Sequence, residues 1–201
     1  GFIGRHTVKA LVEAGHQVTC LVRESSNREG LEELGVEFAV GDVLDSESLR
    51  GPIAEADVVF HLAALLKVPW RADFMSANEE GASNVARACA EAPVSPTLVV
   101  VSSLAAAGVQ SGLAPRVEED ALAPVSRYGR AKLAAERAAM AFADRVPLSI
   151  VRPPMVFGEG DKGVLKLFRM AASGWFVTPT RRRDTRVSLV GAGDLAQLLL
   201  L

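Results

Sequence analysis

Four consecutive apolar residues, Leu98-Val99-Val100-Val101, run straight into a pair of serines, Ser102-Ser103. A strand with one wet face alternates apolar with polar residues. An uninterrupted apolar run has to be covered on both faces, which is the habit of parallel sheets flanked by helices. The rest of the chain supplies those helices. Apolar periodicity predicts a helix from Gly4 to a stop at Gly15, strands over residues 17–22 and 36–40, a helix over 46–54 capped by Asp45, and a strand over 57–61. A long helix over 73–90, a strand over 97–102, an Ala-rich helix over 127–143 and a strand over 148–151, halted by Pro153-Pro154, continue the βαβα order. The expected fold class is α/β, with a doubly wound parallel sheet. Such sheets take ligands at the carboxyl ends of their strands, which here carry Arg23, Asp42, Leu62 to Ala64, Ser102-Ser103 and residues 153–158.

Composition narrows the function. The 201 residues are about one domain's worth, 49% hydrophobic and 23% charged with a net charge of −2, which excludes a disordered chain and a strongly basic polyanion binder. No nucleic-acid partner is expected. No apolar run reaches the ~20 residues of a membrane span and no signal segment opens the chain, so the expectation is a cytoplasmic protein without a membrane partner. Cys20 and Cys89 lack metal-ligand spacing and are expected as buried, reduced thiols, with no metal. The sequence opens at Gly1 without an initiator Met, directly in a helical pattern, and stops at Leu201 within an apolar helical run; both ends are expected to be truncated.

Three local patterns carry chemistry. Gly1-Phe2-Ile3-Gly4 opening a helix is either an ordinary turn or a loop whose backbone approaches a pyrophosphate at the helix N-terminus. After the strand over 17–22, Val22-Arg23 stands where an NAD-binding protein presents a carboxylate to the ribose. Arg23 is either a solvated loop residue or the partner of a 2′-phosphate, and the second reading makes NADP the preferred cofactor with NAD the alternative. Tyr128, the only tyrosine, precedes Lys132 by four residues, so phenol and ammonium share one helix face. A cation there is expected to lower a phenol pKa of about 10 toward the range useful for proton transfer. Ser103, at the end of a buried strand, is placed to hydrogen-bond a substrate carbonyl near Tyr128, whereas Ser102 is expected to satisfy local backbone groups.

These residues, taken together, resemble the extended short-chain dehydrogenase/reductases, also called the NAD-dependent epimerase/dehydratase family, along essentially the whole chain. Gly1-Phe2-Ile3-Gly4 is similar to the end of that family's glycine-rich loop, Gly41-Asp42-Val43 to its adenine-side Asp motif, and His61-Leu62-Ala63-Ala64 to the loop beneath the cofactor. Asn78-Glu79-Glu80-Gly81 resembles its central-helix Asn-x-x-Gly, the segment from Val101 to Gly108 its serine strand and turn, and Tyr128 with Lys132 its Tyr-x-x-x-Lys pair. Residues 152–158 resemble the segment that meets the nicotinamide.

The resemblance implies a Rossmann-type domain over residues 1–152, lacking its first strand, and the start of a small C-terminal substrate-binding domain over 153–201. It implies a cofactor site of Gly1, Phe2, Ile3, Gly4, Arg23, Asp42, Val43, Leu62, Ala63, Ala64, Lys132, Pro153, Met155 and Val156. It further implies catalysis by Ser103, Tyr128 and Lys132, with Asn78 on a water-linked proton route. Leu104 and Ala105 stand where sugar dehydratases of the family carry acids, Ala107 where many epimerases carry a tyrosine, and Gly191 where a histidine is common. The expected activity is NADPH-dependent reduction, or the reverse oxidation, of a carbonyl or alcohol group on a hydrophobic small molecule. The alternatives are a nucleotide-sugar epimerase and a non-catalytic NADP-binding redox sensor. Trp70, Phe74, Phe168, Trp175 and Phe176 are either core or the lining of an apolar substrate site, and Arg181-Arg182-Arg183 is either a solvated loop or a contact for an anionic substrate. A homodimer through the helices over 73–90 and 127–143 is expected by the same resemblance.

Overall fold

The structure is a computed structural model that describes residues 1–64, 74–109, 114–161, 163–174 and 187–201, with the side chain of Phe74 left aside. Helix α1 (Phe2–Glu13) leads into β1 (Thr19–Val22), a short 3₁₀ turn, β2 (Glu37–Val40) and α2 (Ser46–Ala54). Then follow β3 (Val58–His61), α3 (Phe74–Glu91), β4 (Thr97–Val101) and the one-turn helix α4 (Leu104–Ala107). The remainder is α5 (Arg127–Met140), β5 (Leu148–Val151), β6 (Met155–Phe157), α6 (Val164–Ala172), β7 (Leu189–Gly191) and α7 (Ala192–Leu198).

Every ladder is parallel, with β1 beside β2, the order β3-β4-β5, and β6 beside β7. Among the described residues no strand joins β1 to β3, so the α/β fold is a doubly wound sheet without the strand that would connect its two halves. Leu21 and Val58, on the strands either side of that break, are correspondingly exposed.

Strand β4 behaves as its sequence requires. Leu98, Val99, Val100 and Val101 are all buried, and their side chains alternate between two cores. Leu98 and Val100 pack with Leu49 and Ile53 of α2, Val85 and Cys89 of α3 and Ala139 of α5. Val99 and Val101 pack with Leu195 and Leu199 at the chain's end, joined by Ile3 of α1, Phe60 and Val156. Burial pushes the Cys89 thiol up to about 11, so it is an inert core group; Cys20, only half-buried on β1, falls short of the full burial expected of it.

Local chemistry sets the helix starts. Asp45 caps α2 by accepting from the Glu47 N–H at 3.2 Å, and Ser126 caps α5 by accepting from the Gly129 N–H at 2.9 Å. The exposed faces tell a different story at α6, where Leu165, Leu167, Phe168 and Met170 all face water. Phe168 is therefore not core; its ring stands edge-on to Phe157, with centroids 6.4 Å apart. Trp70, Trp175, Phe176 and Arg181 to Arg183 lie outside the described residues.

Two glycines decide how α4 and α5 meet. Gly108 holds a φ of 94°, and a Cβ there would stand 2.1 Å from the Ala123 carbonyl oxygen. At Gly129 a Cβ would stand 2.2 Å from the Ala105 carbonyl oxygen, so α5 can lie against α4 only because that side chain is absent. Gly129→Ala is expected to force the helices apart and to lower the free energy of unfolding by about 1–3 kcal/mol, read from the shift of the urea midpoint.

Candidate active site

The close approach at Gly129 brings the first turn of α5 against the end of β4. Ser103 caps α4, its Oγ accepting from the Ala105 N–H at 3.2 Å, and its hydroxyl also hydrogen-bonds the Tyr128 phenol. One turn further along α5, the buried Lys132 donates from Nζ to the Val101 carbonyl at 2.9 Å, two residues before Ser103. The structure thus gathers Ser103, Tyr128 and Lys132 at the carboxyl end of β4. Asn78 is buried on α3.

The electrostatics differ from the sequence expectation. Burial raises the Tyr128 pKa above its ordinary value, opposed by the hydrogen bond from Ser103. Lys132, expected to pull the phenol down, is bonded instead to the strand carbonyl. Its own pKa is lowered by burial, with the nearby Glu136 carboxylate acting the other way. Ser102 also departs from expectation. Rather than serving the local backbone, its hydroxyl donates to Glu136 Oε1.

Glu136 was not among the residues read from the sequence as functional. It is 1% exposed, two turns beyond Tyr128 on α5, and Arg152 grips it with both arms, Nε to Oε1 at 3.0 Å and a terminal nitrogen to Oε2 at 2.8 Å. The only advance signal is its spacing: Tyr128, Lys132 and Glu136 recur every four residues and so share a helix face. His61, buried at the end of β3, is a second omission. Burial, then the neighbouring Lys132 ammonium, pushes its pKa down to about 4.

The expected cofactor residues lie on the start of α1, at the ends of β1, β2 and β3, on α5 and in the segment after β5. Gly1 caps α1, and a Cβ on Gly4 would meet nothing within 4 Å, which leaves room along the first turn of the helix for a phosphate group. Phe2 and Ile3 pack instead, Phe2 edge-on to His6 and Ile3 into the core beneath β4. Arg23 is exposed directly after β1, its backbone N–H bonded to Ser26 Oγ at 3.0 Å. Asp42 Oδ1 accepts from the Leu44 N–H at 3.0 Å. Val43 packs into the groove left by Gly81, where a Cβ would come within 2.9 Å of it, and the Val43 carbonyl accepts from Asn84 Nδ2 at 3.0 Å.

At the β3 end, Leu62 joins the core, Ala63 is exposed and Ala64 is half-buried. Pro153 is buried and its carbonyl accepts from the Leu104 N–H at 2.9 Å, tying the serine turn to the segment after β5. On β6, Met155 is exposed and Val156 enters the core. His6 Nε2 of α1 donates to the Glu159 carbonyl at 2.9 Å, linking the glycine loop to the far end of that segment. The residues present fit a dinucleotide laid across these positions. Among the described residues, no group of three side chains could hold a metal and no helix is long and apolar enough to cross a membrane.

The buried histidine gives a direct test of this geometry. Unfolded His61 takes its proton near 6.5 and folded His61 only near 4, so between those values the unfolded chain binds more protons. Its contribution is fully present above the higher value and is lost as the pH falls through the lower one, up to about 3 kcal/mol at 1.36 kcal/mol per unit. In His61→Gln that share of the acid-side slope disappears, measured by urea unfolding between about pH 4 and pH 7.

A family model described as the NAD dependent epimerase/dehydratase family matches residues 1–201. The chain is 34% identical over 200 residues to a ceramide reductase of Caulobacter vibrioides (strain NA1000 / CB15N), covering 100% of this chain and 57% of the relative. It is 30% identical over 196 residues to 4-hydroxy-2-methyl-3-oxo-4-farnesyl-3,4-dihydroquinoline-1-oxide ketoreductase of Stigmatella aurantiaca, covering 90% of this chain and 58% of that one. Among solved structures, MoeE5 in complex with UDP-glucuronic acid and NAD superposes with a TM-score of 0.77 at 30% identity, covering 100% of this chain and 68% of MoeE5. The chain therefore spans a little over half the length of these two curated relatives.

Proposed function

The chain belongs to the NAD-dependent epimerase/dehydratase family, and from that premise we propose that it is the nucleotide-binding part of an NADPH-dependent reductase acting on a carbonyl group of a hydrophobic small molecule. The observation that carries this reading is the Tyr128 phenol, hydrogen-bonded to Ser103 on the helix that also holds Lys132. Support for the substrate class comes from the two reductase relatives, whose names specify a ceramide and a farnesyl-bearing ketone. Residues 1–152 hold the nucleotide in this proposal, and 153–201 begin the substrate-binding region. A homodimer through the outer faces of α3 and α5 belongs to the same proposal.

NADPH supplies a hydride when bound, and reduction of C=O to CH–OH needs one proton besides. Tyr128 holds that proton on its phenol oxygen. Because burial raises its pKa, the phenol stays protonated through neutral pH and so carries the proton that the reductive direction consumes, while releasing it depends on the positive charge that Lys132 and the bound cofactor bring to the site. Ser103 orients the carbonyl oxygen toward it. Lys132 contributes a buried positive charge beside the developing alkoxide and a donor for the nicotinamide ribose. Gly4 leaves space for the pyrophosphate along the first turn of α1, and Arg23, exposed directly after β1, is available to meet a 2′-phosphate. Asn78 serves a water-linked proton route to Lys132.

Likeness to MoeE5, solved with a UDP-sugar and NAD, favours a second reading, a nucleotide-sugar epimerase that recycles its own cofactor. Assaying the full-length protein for NADPH oxidation with apolar ketones, and for UDP-sugar interconversion, separates the two. Turnover only with the sugars would overturn the reductase reading. In the reductase, Tyr128→Phe is expected to lower kcat on the order of 100- to 10,000-fold while the Kd for NADPH stays unchanged. Arg23→Ser is expected to weaken NADPH binding by roughly 10- to 100-fold and leave NADH binding unaltered, as titration by cofactor fluorescence would show.

A further inference from the structure

A carboxylate withdrawn from water is costly unless donors surround it. Glu136 meets that condition with an unusual set of donors, because each comes from a different part of the reactive edge. Ser102 donates from the end of β4, immediately before Ser103. Arg152 donates twice from the residue after β5, immediately before Pro153, whose carbonyl is bonded to the serine turn. Lys132 stands one turn away on the same helix as a charge neighbour. Well-packed apolar residues could fill such a site at comparable stability. What an apolar side chain could not supply is direction: the end of β4 and the segment after β5 are both tied to the two oxygens of one side chain on the helix that carries Tyr128 and Lys132.

We propose that Glu136 is a positioning residue of this site, holding the Ser103 strand end and the Arg152 segment in one register against the helix that carries Lys132, and placing a carboxylate one turn from its ammonium. The inference rests on the reductase reading for its kinetic consequence but not for its electrostatic one. Among the described residues, the charged and titratable groups that act on Lys132 or feel it are Glu136 on its own helix and His61 from β3, while Arg152 from beyond β5 is bonded to Glu136 and also faced by Glu118. With its pKa near 4, His61 is neutral at working pH, so Glu136 is the carboxylate that balances the ammonium and Arg152 is the cation that competes for it.

Two substitutions should therefore move Lys132 in opposite directions. Glu136→Gln keeps the shape and an acceptor oxygen but removes the charge, so Lys132 should titrate at lower pH. Arg152→Gln removes the competitor, so Lys132 should titrate at higher pH. The titration is read by NMR of ¹³C-labelled lysine side chains in the full-length protein with NADP⁺ bound, Lys132 being assigned with Lys132→Met. In the reductase assay, Glu136→Gln should lower kcat about a hundredfold with KM for the ketone little changed, as expected when reacting groups are misplaced rather than lost. Ser102→Ala removes a single hydroxyl and offers a milder variant should the first fail to fold; it should lower kcat about tenfold by the same route.

An unmoved Lys132 in folded Glu136→Gln, shifts of the same sign in the two charge variants, or wild-type kcat in Ser102→Ala would each overturn the proposal. Absence of ketone reduction in the unsubstituted protein would instead strike the reductase reading, and the NMR titration would still decide the role of Glu136.

Discussion

Because β4 is covered on both faces, its alternating side chains have assigned destinations, and the rest of the molecule follows from them. Leu98 and Val100 point to the layer of α2, α3 and α5, while Val99 and Val101 point to the layer that includes α1 and α7. The same parity carries on past the last apolar residue. Ser102 falls on the α5 side and reaches Glu136, whereas Ser103 leaves the strand to cap α4 and meet Tyr128. Two adjacent serines of identical chemistry thus acquire separate tasks from a two-residue repeat.

The polar residues at that edge sit where water is largely excluded, and this gives each hydrogen bond and charge more weight than it would have at the surface. Lys132, Glu136, Arg152 and His61 form one electrostatic neighbourhood rather than separate pairs. Within it, the neutral state of His61 and the charged state of Lys132 support each other, since a second cation beside the ammonium would be penalised. The contrast with the exposed ion pairs is plain: Lys9 with Glu13 at 3.9 Å and Arg50 with Glu47 at 3.1 Å lie in solvent and contribute little.

Much of this was legible before any coordinates. The helix over 46–54 and its Asp45 cap, the burial of β4 and the βαβα order all rest on local patterns that tertiary structure had no reason to override. The helix expected over 127–143 stops at Met140, and the strands expected over 17–22 and 97–102 are trimmed to Thr19–Val22 and Thr97–Val101, the usual fraying of boundaries. What could not be read depended on partners distant in sequence. Strands β6 and β7 are three residues each and pair across an intervening helix, so neither carries a period of its own. Glu136 meets Ser102 from 34 residues away, and no local pattern distinguishes it from any other glutamate in an Ala-rich helix. The Lys132 bond to Val101 was hidden for the same reason, as was the burial that raises the Tyr128 pKa.

The contact between His6 and the Glu159 carbonyl has a mechanical meaning. It fastens the first turn of α1 to the stretch following β6, while α7 braces the same helix from behind. Separating the two would first mean breaking an imidazole–carbonyl bond, so the start of α1 and the stretch after β6 shift together rather than as independent loops.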